Sequence, residues 1–345
     1  MAELLSVAAL TGGVGVPSAR FRVGQHVAPL REHGVAMRWL PAPVSKYPPR
    51  RRWLLPLWLP ATVAARIPAV AATRRADVTL LQRELVSTLS TLEGLTRRPR
   101  VLDVDDAIWV RRRGGGYLDR IARACDLVIA GNDFVADWFA DRGPRVEVLP
   151  TAVDTSRFRP IDGPPVRDDG RIVLGWSGTS SNLAHMRDIE GALARVLRER
   201  PQCVLAISAD RAPALAGLPA DRIEYVPWSP DAEVPFCQGL DVGLMPLRDS
   251  DWSRGKCAFK MLLYLACGRP AVVSPVGMNA QVLARSDVGF GPRSEDEWVD
   301  ALLALVDDAR LRTDMGARGR ELVTSRYSVD VIAPRLAALL EGVVR

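Results

Sequence analysis

Two of the three lysines in this 345-residue chain, Lys256 and Lys260, stand four apart in the stretch Trp-Ser-Arg-Gly-Lys-Cys-Ala-Phe-Lys-Met-Leu-Leu-Tyr-Leu-Ala-Cys-Gly, residues 252–268. The apolar run after Phe259 recurs at helical spacing and stops at Gly268, which predicts a helix from Gly255 to Cys267 with both lysines on one face of its first turns. That is the wrong end for cations. The free amides of a helix start already carry roughly half a positive charge, and like charges at i,i+4 repel by about 0.2–0.5 kcal/mol. A bound polyanion would turn the local cost into a binding term, because amides, dipole and two ammonium groups would converge on it. The pair therefore reads as a phosphate site, with a solvated helix face as the alternative.

Two glycine loops point the same way. Leu10-Thr-Gly12-Gly13-Val-Gly15 and Leu174-Gly-Trp-Ser-Gly178-Thr179-Ser-Ser-Asn182 each follow an apolar run that reads as the first strand of a half. Small residues there let the backbone approach a ligand at the carboxyl ends of parallel strands. Ser18 stands where a full dinucleotide fingerprint started from Gly13 would need glycine, so a nicotinamide cofactor is poorly supported. Gly178 and Thr179 open a hydroxyl-rich turn suited to a diphosphate, or to a plain tight turn. A third cluster, Asp103-Val-Asp105-Asp106, ends another strand-like run. Its carboxylates could hold a divalent metal, act as acid and base, accept hydroxyls or cap a loop, and spacing alone does not decide. Arg111, Arg112 and Arg113 follow, before three glycines, as a basic loop near an acceptor's phosphate or a plain surface loop.

The elements that must position these groups alternate between strand and helix through both halves, the pattern of parallel α/β layers. Strands are expected over residues 4–10, 35–40, 78–82, 101–104, 127–130 and 146–149, then over 172–176, 203–208, 223–226, 242–245 and 271–274. Helices are expected over 20–33, 184–200, 231–240, 295–306, 309–327 and 331–343. A proline- and glycine-rich stretch, 155–171, reads as the linker between domains 1–160 and 171–327. Five scattered cysteines form neither a disulfide framework nor a zinc cluster. No run of eighteen apolar residues is found, and the first ten residues read as a strand rather than a signal peptide. The +6 net charge suits anionic partners. Arg50, Arg51 and Arg52 lead into a Trp- and Leu-rich segment ending at Arg66, which suits an anionic membrane surface through residues 50–66 and equally suits a core helix.

Several stretches together resemble glycosyltransferase family 4, the two-Rossmann GT-B architecture. They are Pro17-Ser-Ala-Arg20-Phe-Arg22, Asp103-Val-Asp-Asp106-Ala-Ile-Trp109, Ala130-Gly-Asn132-Asp133, Leu149-Pro-Thr151-Ala-Val-Asp154, Gly175-Trp-Ser-Gly178, Met245-Pro-Leu247, Gly255-Lys256-Cys-Ala-Phe-Lys260 and Ser274-Pro-Val-Gly277. The resemblance implies an α/β fold of two Rossmann-like parallel-sheet domains facing a cleft, with a last helix, 328–345, crossing back to the first domain. It implies sugar transfer from a UDP-, GDP- or other nucleotide-diphosphate sugar to a glycan, lipid-linked or small-molecule acceptor, usually with retention, with no cofactor or metal required. Lys256 and Lys260 would neutralise the leaving diphosphate, with Asp105 as a third catalytic group. Gly12, Gly13, Gly178, Thr179, Ser274 and Gly277 would line the donor, and Arg20, Arg22, Asp106 and Asn132 would contact the sugar or acceptor.

Two positions depart from the family pattern. Where many relatives carry a Glu-x7-Glu pair, this chain has Gly255 and Leu263, neither of which can accept a ribose hydroxyl. Where a strand-end His-Asp is common, it has Asp105-Asp106. The expected protein is a cytoplasmic enzyme, peripheral on the inner face of a membrane, with no nucleic-acid partner. An epimerase or hydrolase on the same fold, or an inactive binding protein, are the alternatives.

Overall fold

The computed structural model describes residues 4–49, 51–111, 113–161 and 170–344; Arg50, Arg112 and residues 162–169 of the expected linker lie outside the described residues. The chain divides into two compact units. The first holds residues 1–152, 254–257 and 329–345, and the second holds 153–253 and 258–328.

In the first unit six parallel strands run β1 Leu5–Thr11, β2 Val35–Pro41, β3 Val78–Gln82, β4 Arg100–Val104, β5 Leu127–Ala130 and β6 Arg145–Val148, in the order β2-β1-β3-β4-β5-β6. The inner strands β3 and β4 are buried at every residue, the polar Thr79, Gln82, Arg100 and Asp103 included, as in a sheet covered on both faces. The order reverses at β1, whose neighbours are β2 and β3, which places the Gly12–Gly13 loop at the switch point. On one face Val7, Leu30, Leu80 and Ile129 pack with Ile332, Leu336 and Leu340 of the final helix, Val329–Gly342. The helix expected over 20–33 is split into Pro17–Arg22 and Val27–Glu32, with a short 3-10 turn between them, because Val23 leaves helical geometry at φ −129°.

The second unit repeats the plan with β7 Ile172–Ser177, β8 Cys203–Ala209, β9 Ile223–Pro227, β10 Val242–Met245, β11 Ala271–Val273 and β12 Gly289–Phe290, in the order β12-β11-β10-β7-β8-β9. Here β7 is the switch strand, between β8 and β10. Helices Glu190–Glu199 and Glu295–Asp307 bury Leu193, Val196, Trp298 and Leu302 on one face of this sheet. The domain boundary falls at 152/153 rather than at 160. The reason is local bonding: Val153 N–H donates to Tyr327 O, Phe158 is buried, and Arg320 donates to the carbonyls of Thr155 and Phe158.

Candidate functional site

At the carboxyl end of the first sheet, the β1 loop is tied down through Thr11. Its carbonyl accepts from Arg66 Nη1 at 2.7 Å, and its hydroxyl accepts from Trp39 Nε1 at 2.8 Å. Gly12 is packed against Val16, where a Cβ would lie 3.2 Å from Cγ2, whereas Gly13 is more open. Pro17 then starts a short helix, its missing N–H costing nothing at that position. Arg22 leaves that helix into the core: it meets both oxygens of Asp103 at 2.7–2.9 Å and donates to Leu149 O at 2.7 Å. Its guanidinium is buried and committed to the fold, which replaces the expected sugar contact. Arg20 lies over the Phe21 ring, 4.6 Å from its centroid.

Asp105 and Asp106, just past β4, converge on one side chain that the sequence did not flag. Arg83, immediately after β3, places Nε 2.6 Å from Asp105 Oδ1 and Nη2 2.5 Å from Asp106 Oδ2. Gln82 Nε2 adds a donor to Asp105 at 3.3 Å. Burial alone would raise the Asp105 carboxyl, but attraction and hydrogen bonding from Arg83, with Arg22 behind, outweigh it and hold the group below its ordinary value. Arg83 adopts φ +60°, a left-handed conformation costing a non-glycine residue roughly 1–2 kcal/mol. The one available signal was positional: Arg83-Glu84 is charged and directly follows a fully buried strand.

The segment Arg254–Cys257 belongs to this same unit. Asn132 caps the helix Asp133–Phe139 by accepting from Val135 N–H, while its Nδ2 donates to the carbonyls of Arg254 and Lys256. Cys257 Sγ donates to Asp105 O at 3.1 Å. Two glycines make this approach possible. A Cβ at Gly131 would lie 2.4 Å from Cys257 Sγ, and one at Gly255 would lie 2.5 Å from Ala107 Cβ and 2.6 Å from its backbone nitrogen. The second clash explains why a glutamate could not stand at 255. Leu263, the other departure from the family pattern, is buried.

These contacts also correct the predicted lysine helix. It spans Phe259–Ala266, not 255–267, and Ala258 at φ +51° precedes it. Residues 255–257 lie outside the helix, in a turn and irregular chain held by the bonds above, so Lys256 and Lys260 do not share one helical face. Both are half-buried. Asn132, expected to touch a sugar, instead spends its amide on this segment.

In the second unit, Lys260 meets the β7 loop. Its Nζ lies 5.6 Å from the centroid of the Trp176 ring, a cation–π distance, and a Cβ at Gly178 would lie 2.8 Å from Lys260 Cε and from the Trp176 ring. Gly178 N–H donates to Ser208 O. Thr179 Oγ1 receives Asn182 Nδ2 at 2.8 Å and pairs with Ser181 Oγ at 2.9 Å, while Asp210 after β8 receives Ser180 N–H and Oγ–H. Tyr264 O–H accepts from Ser177 N–H below the loop. A rigid turn, exposed hydroxyls and one cation thus converge at the switch strand, which is the chemistry of an anion seat. Ser274 is turned to a structural task, its Oγ accepting from Leu247 N–H, and Gly277 takes φ +55° to enter the helix Met278–Leu283. Among the described residues no His, Cys, Asp and Glu group could hold a metal ion.

Residues 171–308 of the chain match the family described as Glycosyl transferases group 1. The matched stretch covers the second unit's whole sheet, from β7 to β12. Beyond it, the chain is 28% identical over 250 residues to the GDP-mannose-dependent alpha-(1-6)-phosphatidylinositol monomannoside mannosyltransferase of Mycobacterium tuberculosis. That match covers 65% of this chain and 64% of the relative's length. The fold is the GT-B fold of known solved structures. Sucrose-phosphate synthase from Thermosynechococcus elongatus aligns over 98% of both chains at TM-score 0.72 and 13% identity. Anabaena HepE, solved in complex with UDP and glucose, aligns over 98% of this chain and 100% of its own at TM-score 0.68 and 16% identity.

Proposed function

We propose that the protein is a retaining glycosyltransferase that moves a sugar from a nucleotide-diphosphate sugar to a hydroxyl acceptor. The observation that carries this reading is Lys260 packed against Gly178 and Trp176 at the switch strand of the second unit, where a diphosphate would meet one ammonium and the loop's hydroxyls. Transfer breaks the bond from the sugar's anomeric carbon to the diphosphate and forms one to the acceptor oxygen. The acceptor's proton passes to a departing phosphate oxygen on the same face, so no protein nucleophile is needed. What the chain must supply is charge neutralisation and positioning. Lys260 supplies the first, and Gly178 and Thr179 shape the phosphate seat. The mannosyltransferase relative, named as GDP-mannose-dependent, supports testing GDP-mannose as a donor of this chain.

The same reading makes the enzyme membrane-peripheral. The helix Leu55–Ala72, with the turn Arg52–Leu54 before it, exposes Trp53, Leu57, Leu59 and Ile67. By length and composition Arg52–Arg75 could cross a membrane. Arg66, however, is buried from the middle of that helix into the first unit, donating to Thr11 O and Leu85 O, so the helix lies fixed along the protein and offers lipid a single face. Exposed Arg51 and Arg52 beside it suit anionic headgroups.

The test is steady-state release of nucleoside diphosphate with Lys260→Ala. Removing one such group from developing charge costs about 10²–10³ in turnover. The variant is expected to lose that much while melting like wild type, and near-wild-type transfer by it would refute the assignment.

A further inference from the structure

The charged cluster at the carboxyl ends of β3 and β4 has a direction built into it. Arg83 is 5% exposed and reaches two carboxylates with two different nitrogens, Nε to Asp105 and Nη2 to Asp106. The side chains of Asp105 and Asp106 keep 12% and 21% of their surface open, twofold or more above the 6% of Arg83, so the cation lies beneath and the carboxylates face outward. The bonds to Arg83 use Oδ1 of Asp105 and Oδ2 of Asp106, which leaves Oδ2 of Asp105 and Oδ1 of Asp106 outside this clamp. Gln82, itself 1% exposed, donates to Asp105 while its own Oε1 has no hydrogen-bond partner. Arg83 N–H is held by Asp103 O at 2.8 Å, so the side chain leaves a backbone that is pinned at φ +60°. A lysine or a rotating arginine could satisfy either aspartate; only a planar fork fixed at its base serves both in this orientation.

We infer that Arg83 is a positioning residue that holds Asp105 charged and fixed, with Asp106 beside it, as an acceptor pair for adjacent hydroxyls of a polyhydroxylated substrate. On this view the first unit recognises a sugar-like diol by accepting its O–H groups, and Asp105 neither takes nor gives a proton during the reaction. An ionised carboxylate can only accept, so a ligand lacking the paired hydroxyls gains nothing from it. The inference rests on the glycosyltransferase reading only in naming the substrate; the clamp itself is a property of the fold. The titratable groups around Asp105 are Arg83 from the β3 end, Arg22 and Asp103 from the first helix and β4, Asp106 next to it, Lys46 with its partner Glu84 from the β2 and β3 loops, and the neutral Cys257 thiol from the 254–257 segment.

The experiment uses the full chain with Arg83→Met and Arg83→Lys, and reads two things. The first is the titration midpoint of the Asp105 side-chain carboxyl by carbon NMR, assigned with Asp105→Asn. The second is the pH profile of kcat/KM for sugar transfer. Arg83→Met is expected to raise the Asp105 midpoint by one pH unit or more and to move the acid limb of kcat/KM upward by the same amount, with Arg83→Lys in between. An Asp105 midpoint unmoved in Arg83→Met overturns the clamp. A midpoint that rises while the pH profile stays put keeps the clamp and removes Asp105 from the substrate. Should Arg83→Met fail to fold, Asp106→Asn decides: it leaves Arg83 to Asp105 alone, so the Asp105 midpoint must fall, and an unchanged midpoint overturns the inference. Absence of transfer from every donor would count against the enzyme reading, while the NMR titration still judges the clamp.

Discussion

Gly178→Ala moves the key cation without deleting it. The added Cβ would lie 2.8 Å from Lys260 Cε and 2.8 Å from two atoms of the Trp176 ring. Trp176 is 2% exposed and cannot retreat, whereas the lysine stem is flexible, so Lys260 gives way. With an effective dielectric near 20, one ammonium and one phosphate charge attract by about 4 kcal/mol at ~4 Å and about 2.8 kcal/mol at ~6 Å. A displacement of ~2 Å therefore removes about 1.4 kcal/mol of stabilisation of the leaving group, or about tenfold in rate. Overpacking against the tryptophan adds a stability loss of about 1–3 kcal/mol, separable by thermal melting. The assay is kcat and KM for nucleoside diphosphate release, with Lys260→Ala in parallel. Gly178→Ala should fall between wild type and Lys260→Ala, and the double variant should be no worse than Lys260→Ala alone. Losses that simply multiply in the double variant would refute the claim that Gly178 acts by placing Lys260.

Two further outcomes are expected. Burial, with Arg22 nearby, pushes the His26 imidazole down to about 3, so below its ordinary value near 6.5 the unfolded chain binds a proton that the folded chain does not. Stability is then full above about pH 6.5 and falls as pH drops toward 3, by up to about 1.4 kcal/mol per pH unit, and chemical denaturation of a His26→Gln variant should lack that component; identical pH slopes would refute it. Anionic vesicles should float the protein in low salt but not in high salt, and Arg51→Glu with Arg52→Glu should weaken that binding; no flotation at low salt would remove the membrane reading and leave the enzymatic one intact.

The parallel architecture was legible because doubly covered strands are continuous apolar runs, and β3, β4, β5, β8 and β10 stand within a residue of where those runs lie. The two-residue β12 was missed, being too short to make a pattern. The start of the lysine helix was misplaced for a reason periodicity cannot carry. Gly255 and Cys257 are held by Ala107 and Asp105, about 150 residues earlier in the chain, and Ala258 pays for the turn with a left-handed backbone. Arg22 and Asn132 matched a family motif yet serve buried bonds, since a motif fixes residue types and not the direction a side chain takes. Arg83 went unseen because its partners lie 22 and 23 residues away on the next strand's end, a pairing that only sheet register creates.

The central claim is that this chain transfers sugar from a nucleotide-diphosphate sugar whose diphosphate sits at Lys260. Its most direct test is a donor panel, GDP-mannose and UDP-glucose included, incubated with purified protein and saccharide or lipid-linked acceptors, reading nucleoside diphosphate release and the anomeric configuration of the product together. The account predicts acceptor-dependent release with a retained configuration, lost on Lys260→Ala. An inverted product, donor interconversion without acceptor, or equal release by Lys260→Ala would contradict it.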